Sequence, residues 1–169
     1  MNNMILQVYA PTSADSDVEI DLFYANLQTQ LSKKRPNDVV MIISDFNAKV
    51  GSDTSTNRSV VGPFGLGNVN ERGEQLVHFC NMNNMFIANT CFQQQKASRL
   101  WTWESPDGVT HNQIDFIIVN RKWRSSVTNC RSFPGADVGS DHQLVIANFR
   151  LKLKKREGPE NSRSLTSGS

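Results

Sequence analysis

The run DVVMIIS (38–44) constrains this chain more than any other stretch. Val39 to Ile43 are apolar without alternation, so the run does not read as a strand with one wet face. It reads as a strand covered above and below, which requires a layer on each side of a sheet. Helices that could supply such a layer are visible. In DVEIDLFYANLQTQLSKKRP (17–36), Ile20, Phe23, Leu27 and Leu31 recur at spacings of three and four. That predicts an amphipathic helix, with Asp17 as N-cap and Lys33, Lys34 and Arg35 in the last turn before Pro36. A second helix is predicted in ERGEQLVHFCNMNN (71–84), with Leu76, Phe79 and Cys80 on one face.

Strands are predicted at MILQVYA (4–10), MFIANT (85–90), LWTWE (100–104), NQIDFIIVN (112–120), SSVTNCRS (125–132) and QLVIANFRLKL (143–153). In the last of these, Val145, Ala147 and Phe149 alternate with Ile146, Asn148 and Arg150, as on a half-buried strand. Strands and helices therefore alternate in an α/β pattern. The loop VVGPFGLGNVN (60–70) is too long for a tight turn and implies a role at the surface.

With 169 residues, 38% hydrophobic and 20% charged, the chain has the composition of one soluble domain or part of one. No apolar run is long enough to span a membrane, and MNNMILQVYAP lacks the pattern of a signal peptide. An intracellular, soluble protein is expected, with a nuclear address left open. Cys80, Cys91 and Cys130, an odd count without a C-x-x-C pair, read as reduced core residues rather than disulfides or zinc ligands. Net charge is +2, but residues 121–156 carry nine Lys and Arg, Arg121, Lys122 and Arg124 among them, against Asp137 and Asp141. Such a block fits either a polyanion-binding surface or a solvated basic stretch.

Polar residues stand at or just beyond strand ends in four places: Tyr9, Asp45 with Asn47, Asp115, and Asp141 with His142. Strand ends are where layered α/β proteins gather side chains from distant segments into a site. These residue types suit phosphodiester hydrolysis, which needs an activated water, stabilisation of charge on the phosphoryl oxygens and help for the leaving oxygen. A carboxylate such as Asp115 beside His142 would orient the imidazole and favour its charged form. Taken singly, each has a plainer reading: Asp45 and Asp141 as turn formers or caps, Asp115 as one hydrogen-bonded buried carboxylate, Trp101 and Trp103 as packing. His78, in a helix, and His111, in a turn, are poor ligand candidates.

The ordered set VYAP, SDFNA, TW, QIDFI and SDH resembles the successive signatures of the endonuclease/exonuclease/phosphatase superfamily. FGLGNVNERGEQLVHFC, IANTCFQQQKASRLWTWESPDG, RKWRSSV and PGADVGSDHQLVIANFRLKLKK are similar to the apurinic-type endonuclease domain of non-LTR retrotransposons and the craniofacial development protein 2 group derived from one. The resemblance covers residues 4 to about 156.

It implies a four-layer α/β sandwich of two packed mixed sheets, and metal-dependent cleavage of phosphodiesters with Mg²⁺ or Mn²⁺, with DNA as the partner. By that likeness Asp45 positions or deprotonates the attacking water, Asn47 holds a phosphate oxygen, and His142 contacts the scissile phosphate. Asp115 fixes His142, Asp141 helps bind the metal, and Tyr9 sits beside the phosphate or leaving group. Trp103 and the Gly-rich loop lie where related nucleases touch nucleic acid, and the basic stretch from Arg121 onward offers a further surface. A non-catalytic nucleic-acid-binding remnant and a phosphatase of small phosphorylated molecules stand as alternatives.

Two departures qualify the likeness. Ser44 replaces the glycine that usually opens the DFN signature, a small-for-small exchange. The asparagine and the metal-binding glutamate that family members carry ahead of the VYAP strand have no counterpart here. Residues 1–155 are thus expected to be the C-terminal part of such a domain, N-terminally truncated, with impaired metal affinity, an uncovered sheet edge and a tendency to self-associate. Residues 156–169 are expected to be a polar tail without fixed structure.

Overall fold

The computed structural model describes residues 2–52, 55–136 and 139–151. Along the chain run β1 (Asn3–Tyr9), α1 (Asp17–Leu31), β2 (Val39–Asp45), α2 (Glu71–Met82), β3 (Met85–Ile87), β4 (Trp103–Glu104), β5 (His111–Asn112), β6 (Asp115–Asn120), β7 (Val127–Phe133) and β8 (Leu144–Phe149). Short 3₁₀ helices occupy Ala88–Cys91, Ala97–Arg99 and Arg121–Ser126. The expected tail and Lys152 to Arg156 of the basic stretch lie outside the described residues.

One four-stranded mixed sheet, in the order β1-β2-β6-β3, organises the rest. β1 and β2 are parallel and joined through α1, because parallel neighbours need a crossover rather than a hairpin. β6 runs antiparallel to both β2 and β3. On one face of this sheet, Leu27 and Leu31 of α1 and Leu76 and Cys80 of α2 pack onto Val40, Ile42 and Ile118. On the other, Phe86, Ile117 and Val119 meet Val127 and Cys130 of β7 and the inner residues Val145, Ala147 and Phe149 of β8. The described residues thus form helix, sheet and second-sheet layers, with β7 and β8 as an antiparallel pair. The mixed α/β architecture is the expected one; of the four layers anticipated, the described residues form these three, and the second sheet is an antiparallel pair rather than a mixed sheet. Burying a side chain such as Phe86 or Ile118 stabilises the fold by about 1.5–3 kcal/mol.

β2 is buried along its Val40, Ile42 and Ser44 face, but on the other face only Val39 is buried while Met41 is half-buried and Ile43 exposed, so the cover expected on both sides is partial. Cover fails beside β1, where Ile5 is 62% exposed and Ile43 also reaches the surface, and Leu144 and Ile146 are exposed on the outer face of β8.

Several boundaries differ from expectation for local reasons. Ser16, not Asp17, caps α1: its hydroxyl accepts from the Glu19 amide, and the Glu19 carboxylate accepts from the Ser16 amide at 2.8 Å. Ser32 closes α1, so Lys33, Lys34 and Arg35 lie beyond the helix. β3 stops at Ile87 because the Asn89 side chain takes over the pairing. Its carbonyl oxygen accepts from the Ile117 amide at 2.9 Å and its amide donates to the Asp115 carbonyl at 3.1 Å. β4 is confined to Trp103–Glu104, β6 starts only at Asp115, and residues 121–126 turn as a 3₁₀ helix. The Gly-rich loop begins in the core, since the Val60 carbonyl accepts the Ile87 amide at 2.8 Å and Val60 and Val61 are buried. Cys80 and Cys130 are buried thiols, whereas Cys91 is half-buried.

Candidate active site

Three strands deliver polar residues to one end of the main sheet. Asp45 ends β2, directly opposite Asp115, which opens β6, and Tyr9 ends β1 opposite Asp45. Just past Asp45 the chain turns sharply at Asn47, whose φ of 48° lies in the left-handed region that asparagine tolerates better than most residues. The Asp45 carboxylate accepts from the Asn47 amide at 2.8 Å, and the Asn47 side chain donates to the Ala10 carbonyl at 3.0 Å. These two bonds tie the turn to the end of β1.

His142 arrives from the loop before β8. Its Nδ1 lies 2.9 Å from Asp115 Oδ2, and its Nε2 lies 3.7 Å from Asp45 Oδ2 and 4.0 Å from Asp141 Oδ1. The loop is docked on β4: the Glu104 amide donates to the Asp141 carbonyl at 3.0 Å and the Gln143 amide to the Thr102 carbonyl at 2.7 Å. Trp103 anchors it further, its indole N–H donating to Asp141 Oδ2 at 2.9 Å. Tyr9, Asp45, Asn47, Trp103 and His142 therefore line one cleft of about 410 Å³, with Asp115 behind His142 and Asp141 at its rim. A larger groove of about 560 Å³ lies between α1 and α2; Asp21, Glu74 and His78 line it, but among the described residues they form no group close enough to hold a metal ion.

Arg121, Lys122 and Arg124 sit at the opposite end of β6, about 17 Å from Asp115 at the usual rise per strand residue. Arg121 bonds the Met85 carbonyl and Asn81, Lys122 bonds the Pro36 carbonyl and Asn37, and Arg124 lies over the Phe86 ring. His111 pairs with Glu104 and stacks on Trp101, away from this cluster.

Two residues that sequence patterns did not single out shape the site. Thr102 is fully buried, and its hydroxyl oxygen accepts from the amides of Ile114 and Asp115, each at 3.0 Å. It is the threonine of the TW signature, to which the sequence assigned no role of its own. Asn89 fixes the Asp115 carbonyl from the other side.

Burial works against a charged His142, yet the hydrogen bond and charge of Asp115, with Asp45 and Asp141 behind, outweigh it and raise the imidazole pKa. Burial also pushes the Asp115 carboxyl up, partly offset by hydrogen bonding from Thr102 and His142. Both shifts favour retention of a proton on the pair. Asp141 moves the other way, held down mainly by the Trp103 indole.

Asp45, Asp115 and His142 each offer a ligand atom, all within 4.8 Å of one another. Two ligands each about 2.1 Å from a common ion sit at most about 4.2 Å apart, so the 3.7 Å between His142 Nε2 and Asp45 Oδ2 fits one. Carboxylate and imidazole donors suit a divalent cation, with oxygen favouring Mg²⁺ and Mn²⁺ and nitrogen the later metals.

A layered α/β sandwich with an acidic and imidazole cluster at the strand ends defines the nuclease and phosphatase type of fold. Solved structures agree. A 3'-5' exonuclease (NExo) from Neisseria meningitidis matches with a TM-score of 0.63 at 16% identity, over 87% of this chain and 61% of that one. The endonuclease domain of TRAS1, a telomere-specific non-LTR retrotransposon, matches with a TM-score of 0.57 at 14% identity, over 86% of this chain and 56% of that one. More particularly, residues 4–146 match the endonuclease-reverse transcriptase family, and the chain belongs to it. It is also 50% identical over 153 residues to craniofacial development protein 2 of Bos taurus, covering 90% of this chain and 25% of that protein. The same protein of Tragulus javanicus is 50% identical over 90% of this chain and 26% of its own length. The chain thus spans about a quarter of these relatives. Among the described residues no helix is long and apolar enough to cross a membrane.

Proposed function

We propose that this chain is a divalent-metal-dependent phosphodiester hydrolase of the retrotransposon-derived DNA endonuclease type. One observation carries the reading: the Asp115–His142 pair, bonded at 2.9 Å, aims the free imidazole nitrogen at Asp45 inside a cleft. In that arrangement Asp45 positions a water and takes its proton. His142, kept cationic by Asp115, faces the charge that develops on the phosphoryl oxygens. Asn47 contributes a side-chain amide to a phosphate oxygen, and Tyr9, 68% exposed at the strand end, stands beside the phosphate or leaving group. A divalent ion held by Asp45, with Asp141 at the rim, would supply further charge neutralisation, leaving the protonated His142 to the phosphate.

No glutamate lines the cleft among the described residues, so hard-metal affinity is weak and activity low without it. Exposed Ile5 and Ile43, on one face of the main sheet at its β1 edge, support association with another copy or a partner.

The test is nicking of supercoiled plasmid with Mg²⁺ or Mn²⁺ by the wild type, His142→Ala and Asp45→Asn. Nicking by the wild type alone supports the reading, and equal nicking by all three overturns it. Salt-sensitive DNA binding without nicking favours the non-catalytic alternative. Release of phosphate from a small monoester alone favours a phosphatase.

A further inference from the structure

Lys49 is the one permanently cationic side chain among the described residues lining the cleft, which otherwise presents Asp45 with Asp141 at its rim. A half-buried lysine facing carboxylates normally pairs with one. This one does not: among the described residues its ammonium has neither an ion pair nor a hydrogen bond, and the neighbouring carboxylates are engaged by His142, Trp103 and the Asn47 amide. Its backbone, by contrast, is held firmly. The Lys49 amide donates to Asn70 Oδ1 at 3.0 Å, its carbonyl accepts from the Asn70 amide at 3.0 Å, and Gly73 of α2 is pressed against the same carbonyl. The cleft thus presents a free ammonium from a fixed point, outside ion-pair range of the Asp45–Asp115–His142 cluster. Ser13 and Asn112 also line it, and their side chains have no partner among the described residues.

We infer that Lys49, with Ser13 and Asn112, forms a second phosphate subsite beside the reacting centre, which commits the cleft to a polynucleotide strand. The inference rests on the phosphodiesterase reading above and deepens it. A polynucleotide carries a phosphate on each side of the one under attack, whereas a small monoester or diester carries none. An ammonium beside the reacting cluster discriminates between the two by charge, without reading sequence. It also offsets the repulsion between an incoming polyanion and the acidic cleft.

Binding distinguishes this from the catalytic reading, because it needs no turnover. Short single-stranded DNA oligonucleotides would be titrated in EDTA, by fluorescence anisotropy, onto the wild type, Lys49→Ala and Lys49→Arg. One series would carry a neutral methylphosphonate at each linkage in turn. Lys49→Ala should weaken binding about tenfold and reduce the slope of log affinity against log salt by about one, and Lys49→Arg should restore both. One methylphosphonate position should cost the wild type a similar factor and cost Lys49→Ala nothing further. Additive penalties at every position, or unaltered affinity in Lys49→Ala, would overturn the subsite. Absence of hydrolysis with the methylphosphonate pattern intact would count against the catalytic reading alone.

Discussion

The buried hydroxyl of Thr102 holds the backbone amide of Asp115 at 3.0 Å, so the carboxylate that orients His142 is fixed by a residue on a different strand segment. Replacing Thr102 by valine keeps the shape but leaves two half-buried amides, those of Ile114 and Asp115, without this acceptor. A loss of about 1–3 kcal/mol is expected, read as a lower urea midpoint, while Thr102→Ser stays close to the wild type. A valine variant as stable as the wild type would show that these bonds are dispensable.

Asp115 also sets the charge of His142. The raised imidazole pKa predicts that cleavage falls as pH climbs through it, since the cation is lost. In Asp115→Asn the descending limb of kcat/KM should move to lower pH, because the main group that raises the pKa is gone. An unmoved limb would assign it to another group.

The same shift bears on stability. With the folded pKa of His142 above its unfolded value near 6.5, its contribution is complete below that value and lost as pH rises through the folded pKa. This holds while Asp115 is ionised, above its own raised pKa. The stability advantage of the wild type over Asp115→Asn should therefore be larger at pH 6 than at pH 9 in urea denaturation. Equal advantage at both would contradict the pairing.

Glycine at position 73 lies inside α2, where alanine ordinarily stabilises a helix. Here a Cβ would meet the Lys49 carbonyl oxygen at 1.8 Å. Gly73→Ala should thus destabilise, by about 1–3 kcal/mol as overpacked sites do, seen as a drop in Tm. A rise in Tm would mean that α2 can shift away from residues 47–51.

If Asp45 holds a cation, Mn²⁺ should raise the Tm of the wild type and leave Asp45→Asn unmoved. Saturation at about a hundred times Kd would amount to about 2.7 kcal/mol. Equal shifts in both proteins would place metal binding elsewhere.

Much of this was legible in residues 38–47. An unbroken apolar run forces a covered strand, and a carboxylate at its end has nowhere to go but the sheet margin. The spacing of Leu27, Leu31, Leu76 and Cys80 foretold which helical faces would be buried, and they are. What escaped were side chains acting as backbone. Asn89 continues the β6 pairing after β3 ends, and Ser16 rather than Asp17 closes the first turn of α1. Both positions had competing neighbours of the same hydrogen-bonding type, and only the fold chooses between them. Where the basic stretch sits in space was not legible either. Arg121, Lys122 and Arg124 count as charge in composition, but in space they bond carbonyls and amides or cover an aromatic ring at the far end of β6.

Asp45 and Asp115 face one another across the β2–β6 ladder. Like charges so placed push adjoining strands apart, and the ring of His142, delivered from near the chain's far end, is what stands between them. Any event that withdraws the 141–143 loop would therefore loosen the sheet at the very margin where it is meant to work, so that order in the cleft and cohesion of the central strands rise and fall together.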